Sequence, residues 1–184
     1  MRAEKMTESI TLGAGCFWCV ENIFNRIDGV QSAISGYAGG DNEDPSYEQI
    51  CSGETNHAEV VQVTFDPTIV SLDTIFTVFF AIHDPTSLNR QGDDVGTQYR
   101  STIMPQNKEQ HTLAETAIAQ AAASGKYSQP IVTTIEPLTH FYAAEDYHQE
   151  YYDNNPDNRY CQLVVARKIQ KFLAEYAHLL KKED

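Results

Sequence analysis

Apolar residues in this 184-residue sequence recur with strand and helix periods in the order βαββαβ. That order predicts an α+β fold with a ferredoxin-like split βαβ core, an antiparallel sheet carrying helices on one face. Three observations support it: a strand-period run ends in glycine and passes directly into a helix-period run, two further strand runs are joined by a Gly-rich loop, and a helical stripe precedes a fourth strand run. An added helix, an added strand and a C-terminal extension follow this core.

Ser9 to Gly15 alternates Ile10, Leu12 and Ala14, and the set Val20, Ile23, Phe24, Ile27 then follows helical spacing, so the first strand feeds the first helix. Gly29 stops that helix, Val30 to Tyr37 reads as the second strand, and Gly36, Gly39, Gly40, Asn42 and Pro45 mark the loop after it. Val60 to Phe65 makes the third strand, closed by Asp66-Pro67. From Ser71 as N-cap, Leu72, Ile75, Phe76, Phe79 and Phe80 form a helical stripe, and Gln98 to Met104 supplies the fourth strand. Asn107 followed by Gln110 resembles a capping box, an alanine-rich helix runs to Ser124 and ends at Gly125, and Ile131 to Ile135 reads as a strand. The alternation Cys161, Leu163, Val165 predicts a tail strand, and Ile169, Phe172, Leu173, Tyr176 and Leu180 a tail helix. With no repeat in the chain, residues 1–184 read as a single domain.

Hydrophobic residues make up 41% and charged residues 21%, ordinary globular usage, and no apolar run is long enough to span a bilayer. Met1 to Ile10 carries Arg2 and Lys5 without a following apolar segment, so no secretory leader is read there and the expected compartment is the cytoplasm. A net charge of −13, with no basic cluster beyond Lys181-Lys182, excludes a phosphate-backbone binder. Four cysteines without a leader point to catalysis or metal binding before a structural disulfide framework.

Cys16 falls where the first strand gives way to a helix, near unpaired backbone N–H groups and the positive end of the helix dipole, a place that lowers a thiol's pKa. Cys16-Phe17-Trp18-Cys19 is a C-x-x-C, open to a thiol redox pair, half a zinc site, or a small buried hydrophobe with no chemistry. Zinc needs two more ligands at usable spacing, and Cys51 and Cys161 stand singly and far off. The two bulky aromatics between the cysteines suggest a pocket for an apolar group beside the sulfur. Glu59 shares a strand face with Val61, Val63 and Phe65; either its carboxyl is desolvated there and holds its proton near neutral pH, or it starts the strand and escapes to solvent.

Gly15-Cys16-Phe17-Trp18 resembles the signature of the A-type methionine sulfoxide reductases. Further segments resemble motifs of that family in the same order: Ser35-Gly36-Tyr37-Ala38-Gly39-Gly40, Pro45-Ser46-Tyr47, His57-Ala58-Glu59, Asp94 to Arg100 and Tyr147-His148-Gln149. The match runs from Thr11 to Cys161, and ordered motifs are far more specific than one short pattern. The resemblance implies that Cys16 is the nucleophile, Phe17 and Trp18 hold the substrate's methyl group, and Glu59 is the acid. It implies likewise that the hydroxyls of Tyr47 and Tyr99 help hold the sulfoxide oxygen and that Asp94 supports the site. Taken by themselves, Tyr47 and Tyr99 read equally as packing residues and Asp94 as a turn residue before Gly96. His148 is similar to a family histidine near the site, with its role left open.

Two departures concern how the enzyme is reset. Many family members have Gly where this chain has Cys19, and many carry resolving cysteines in a Gly-rich tail that is missing here. Arg159-Tyr160-Cys161-Gln162 nevertheless resembles an element that carries a resolving cysteine in some members, so Cys19 and Cys161 are both candidates; Cys19, one helical turn from Cys16, is favoured. Cys51 matches no catalytic position and reads as a buried structural residue.

The implied activity is reduction of methionine S-sulfoxide, protein-bound or free, through a Cys sulfenic acid and a disulfide recycled by thioredoxin or another dithiol. The resemblance implies no metal or organic cofactor, and a monomer with neither nucleic-acid nor membrane partners is expected. The competing reading is a general thiol–disulfide oxidoreductase built on Cys16 and Cys19. If Cys16 is the nucleophile, Cys16→Ser abolishes sulfoxide reduction, because oxygen cannot replace sulfur as the soft nucleophile, while Cys51→Ser stays within a few-fold of the parent. Turnover assays of both variants check this, and parental activity in Cys16→Ser sinks it.

Overall fold

The computed structural model describes residues 6–182; Arg2 and Lys5, on which the reading of the N-terminus drew, lie outside them. Strand β1 (Glu8–Ala14) buries Ile10, Leu12 and Ala14 and ends at Gly15. Gly15 has φ of +85°, and a Cβ there would lie 2.7 Å from Cγ of Gln91, so both the turn and the close packing require glycine. Helix α1 (Phe17–Asn25) starts at once, with Cys16 as its N-cap residue and Val20, Ile23 and Phe24 buried.

Strand β2 (Val30–Ala38) is followed by a short helix, α2 (Tyr47–Cys51), then by β3 (Ala58–Phe65) and helix α3 (Leu72–Ala81). A two-stranded hairpin of β4 (Arg90–Gln91) and β5 (Asp94–Val95) leads through a 3₁₀ turn at Thr97–Tyr99 into β6 (Ser101–Met104). Helix α4 (Lys108–Ala123), strands β7 (Thr134–Ile135) and β8 (Phe141–Ala143), and helices α5 (Tyr151–Asn154) and α6 (Ala166–Glu175) complete the chain.

The main sheet has the order β7-β6-β1-β3-β2-β8, in which β6-β1-β3-β2 is the antiparallel arrangement of the split βαβ core. The predicted core is therefore present. Side chains of β1, β3, α1, α3 and α6 share one hydrophobic cluster that includes Leu12, Ile23, Val61, Val63, Phe76 and Phe172. A smaller cluster of Ala38, Ala58, Val60 and Met104, packed under Leu138 and Phe141, occupies the other face. Among the described residues no helix is long and apolar enough to cross a membrane.

The structure corrects four local expectations. Gln98 to Met104 is strand only from Ser101; before it, Tyr99 N–H donates to the Gly96 carbonyl at 3.0 Å and closes a 3₁₀ turn. The segment Ile131 to Ile135 pairs only over Thr134–Ile135, in parallel with β6. Asn107 accepts the Gln110 N–H at 2.9 Å, but Gln110 turns its own amide to the Gln106 N–H, so the capping box is one-sided. The reciprocal box lies at Ser46 and Gln49 and opens α2, an element that periodicity did not show. Finally, Cys161–Val165 is a π-helical turn: Cys161 and Val165, four residues apart, are both fully buried while Leu163 is 49% exposed, which is a helical face and not strand alternation.

Candidate active site

The run from β1 through Gly15 into α1 delivers three consecutive site residues to one end of the sheet. Cys16 is buried at the N-cap, Phe17 is fully buried, and Trp18 is half-buried. In β3, Glu59 is 2% exposed and lies opposite Tyr37 of β2, on the face shared with Val61, Val63 and Phe65. Its Oε1 accepts the Phe17 backbone N–H at 3.3 Å, one of the unpaired donors at the start of α1. Of the two readings of Glu59, the desolvated carboxyl on the core face is the one the structure bears out.

Loss of water pushes the Glu59 carboxyl up to about 8; the Phe17 N–H opposes this, and the charge of Asp94 adds to it. The lowered Cys16 pKa read from the sequence is overturned. Burial pushes this thiol well above its ordinary range, the charges of Glu59 and Cys19 add to the rise, and the Trp18 amide pulls the other way without prevailing. Both groups therefore hold protons near neutral pH. Cys19, also buried, donates its S–H to the Cys16 carbonyl at 3.3 Å.

Tyr47 at the start of α2 and Tyr99 in the 3₁₀ turn are half-buried, and burial together with the charge of Glu59 holds both phenols protonated. Asp94 accepts a hydrogen bond from the Tyr160 hydroxyl at 2.5 Å. The structure thus brings Cys16, Glu59, Tyr47, Tyr99 and Asp94 into one electrostatically connected site, with Phe17 and Trp18 beside them. Cys51 corrects the sequence reading: it is exposed, because of the five residues of α2 only Ile50 is buried. The Cys51 thiol and the Tyr47 phenol act on each other's protonation, which puts Cys51 at the rim of the site.

His148, whose role the sequence left open, is 1% exposed, and its Nδ1 accepts the Trp18 indole N–H at 3.0 Å. In the neutral ring Nε2 then carries the proton and faces Glu145 Oε2 at 3.3 Å; burial holds the pKa down, against the pull of Glu145. Glu145 accepts in turn from the Tyr37 hydroxyl and the Tyr47 amide, both at 3.2 Å. Sequence reasoning missed Glu145, Tyr151 and Tyr160. Tyr151 stacks flat on Trp18, with centroids 3.9 Å apart and planes at 9°, and Tyr160 meets the indole edge-on at 5.9 Å. Asx, Gln and Tyr residues after position 144 show no periodicity, and only the folded chain reveals what they cover.

The covering segment is anchored by Gln149, whose amide accepts the Ser35 N–H at 3.1 Å and donates to the Ser35 carbonyl at 2.9 Å, and by Glu21 of α1, whose Oε2 accepts the Glu150 N–H at 2.9 Å. Cys161 is fully buried in the same cluster as Cys19, its amide bound to Asn158 Oδ1 at 3.1 Å. Among the described residues no three His, Cys, Asp or Glu side chains converge as a metal cluster.

Residues 8–180 match the family described as peptide methionine sulfoxide reductase. A peptide methionine sulfoxide reductase MsrA from a Nitratiruptor species is 49% identical over 176 residues, 96% of this chain and 100% of that one. The structure of methionine sulfoxide reductase A of Corynebacterium diphtheriae superposes with a TM-score of 0.78 at 39% identity, covering 86% of this chain and 79% of the other. Mxr1 from Saccharomyces cerevisiae in complex with Trx2 gives a TM-score of 0.56 at 26% identity, covering 82% of this chain and 88% of that one.

The protonation of Glu59 is open to direct measurement. Below its raised pKa, the infrared difference between the parent and Glu59→Gln contains a protonated carboxyl band, and that band is lost as pH rises with a midpoint near 8. Subtraction removes Glu21, whose carboxyl burial pushes up to about 7. A band that vanishes in the ordinary carboxylate range, about 4 to 5, overturns the assignment.

Proposed function

The chain belongs to the peptide methionine sulfoxide reductase family, and from that premise we propose that Cys16 is its nucleophile and Glu59 its general acid. The enzyme reduces methionine sulfoxide to methionine. The observation that supports these roles best is the buried Glu59 carboxyl bound to the first amide of the helix that Cys16 caps.

In the proposed step, Glu59 gives its proton to the sulfoxide oxygen, which makes the sulfur electrophilic, and Tyr47 and Tyr99, held as phenols, donate hydrogen bonds to the same oxygen. Cys16 attacks as its thiol proton passes to the vacated Glu59 carboxylate. The attack joins the Cys16 sulfur to the substrate sulfur; the hydroxyl then shifts from the substrate sulfur to Cys16 as that S–S bond breaks, so a sulfoxide and a thiol become a thioether and a sulfenic acid. Two electrons pass from Cys16 to the substrate, with no net proton consumed. The substrate's methyl group rests against Phe17 and Trp18. Asp94 supports the acid end of the site.

Cys19 then condenses with the sulfenic acid, giving a Cys16–Cys19 disulfide and water; its place one turn along α1, with its S–H on the Cys16 carbonyl, favours it over Cys161. A dithiol such as thioredoxin returns both cysteines to thiols, in keeping with the relative from Saccharomyces cerevisiae solved with Trx2. No cofactor beyond this reductant is invoked.

The test is an assay with both sulfoxide epimers and dithiothreitol, in which the S epimer is consumed. Equal turnover of both epimers, or of disulfides alone, refutes the reading. The single-turnover rate of Glu59→Gln falls about a hundredfold or more, since an amide has no proton to give; in the parent it declines as pH rises through about 8, where Glu59 loses its proton. An unchanged rate makes Glu59 only a strand residue. Cys19→Ser releases about one equivalent of methionine per enzyme but does not cycle with thioredoxin, and peptide mapping of the parent after one turnover finds Cys16 joined to Cys19. A Cys16–Cys161 bond, with Cys19→Ser cycling normally, makes Cys161 the resolver instead.

A further inference from the structure

Two parts of the site meet at one side chain that the reaction as written does not use. Tyr160 precedes Cys161 in the chain, and its hydroxyl donates to Asp94 Oδ2 at 2.5 Å, reaching from the C-terminal segment to the β4–β5 hairpin. Its ring stands edge-on to Trp18, 5.9 Å between centroids. The same segment is tied to the indole a second way: Tyr151 stacks on Trp18, accepts from Asn158 Nδ2 at 3.1 Å, and Asn158 Oδ1 takes the Cys161 amide at 3.1 Å. Cys161 is fully buried at the end of this chain of contacts.

We propose that Tyr160 is a positioning residue, which orients Asp94 for the reduction step and latches the Cys161 turn shut until its hydrogen bond to Asp94 is released. This rests on the roles proposed above for Cys16 and Asp94. Half-burial and the nearby Cys16 and Asp94 keep the phenol protonated, so it serves as the donor throughout. A short hydrogen bond to a carboxylate is among the stronger ones available, and this one ties together two segments with no strand pairing between them. While it holds, Cys161 is inaccessible to any electrophile and to a reductant, and condensation of oxidised Cys16 falls to Cys19. Once it opens, the Cys161 thiol can attack a sulfenic acid or a disulfide sulfur; with a sulfenic acid the products are the disulfide and one water.

Tyr160→Phe removes the hydroxyl and keeps the ring against Trp18. In the reduced enzyme, iodoacetamide labelling of Cys161, followed by peptide mapping, accelerates about tenfold, and the single-turnover rate of methionine formation falls about tenfold, the scale of one charge-assisted hydrogen bond. Asp94→Ala accelerates Cys161 labelling to the same degree, and adding Tyr160→Phe to it changes neither labelling nor rate further. A tyrosine that merely fills space gives the opposite result, with its effect undiminished in the Asp94→Ala background, and that result overturns the proposal. So does Cys161 labelling at the parental rate in either single variant. The labelling arm needs no turnover: a parent that reduces no sulfoxide refutes the function proposed above, yet still reports whether the latch exists.

Discussion

Glu59 gives up nearly all contact with water and receives in return a 3.3 Å hydrogen bond from the Phe17 amide. Burying a carboxyl this deeply costs so much in its charged form that the group stays protonated instead. The neighbouring geometry follows from that exchange. β3 must lie between β1 and β2 for Glu59 to reach the first turn of α1, and β1 must pass into α1 through a single positive-φ glycine for that turn to begin at Cys16. A linker of ordinary length between β1 and α1 would carry the amide, and the sulfur beside it, out of reach of the acid.

The core of the fold was legible because its apolar periods are long and clean. Leu12, Val61, Val63 and the stripe on α3 are buried where period two and period three-to-four place them. The same reasoning failed at Cys161, Leu163 and Val165, where three apolar residues at alternate positions occur in a π-helical turn. Three residues are too few to separate the two periods, and the buried pair is spaced by four. It failed also at α2, whose five residues bury only Ile50 and so have no stripe to read.

Within the site, legibility followed the chain. Cys16, Phe17, Trp18 and Glu59 sit at the ends of regular elements, where strand and helix geometry dictates direction. Glu145, Tyr151 and Tyr160 act across large sequence distances, through hydrogen bonds and ring stacking that leave no local pattern; Tyr160 and Asp94 are 66 residues apart. The Cys16 pKa was misread for a related reason. Position on a helix is visible in sequence, but burial of the sulfur is not, and burial has the larger effect on this thiol.

The six-stranded sheet ends in β7, two residues long, and β8, three residues long. An unfolded chain that carries methionine sulfoxide presents extended backbone with unpaired N–H and C=O groups. A long flat edge would template the addition of such a chain as an extra strand. Edges this short offer too few ladder positions for such addition.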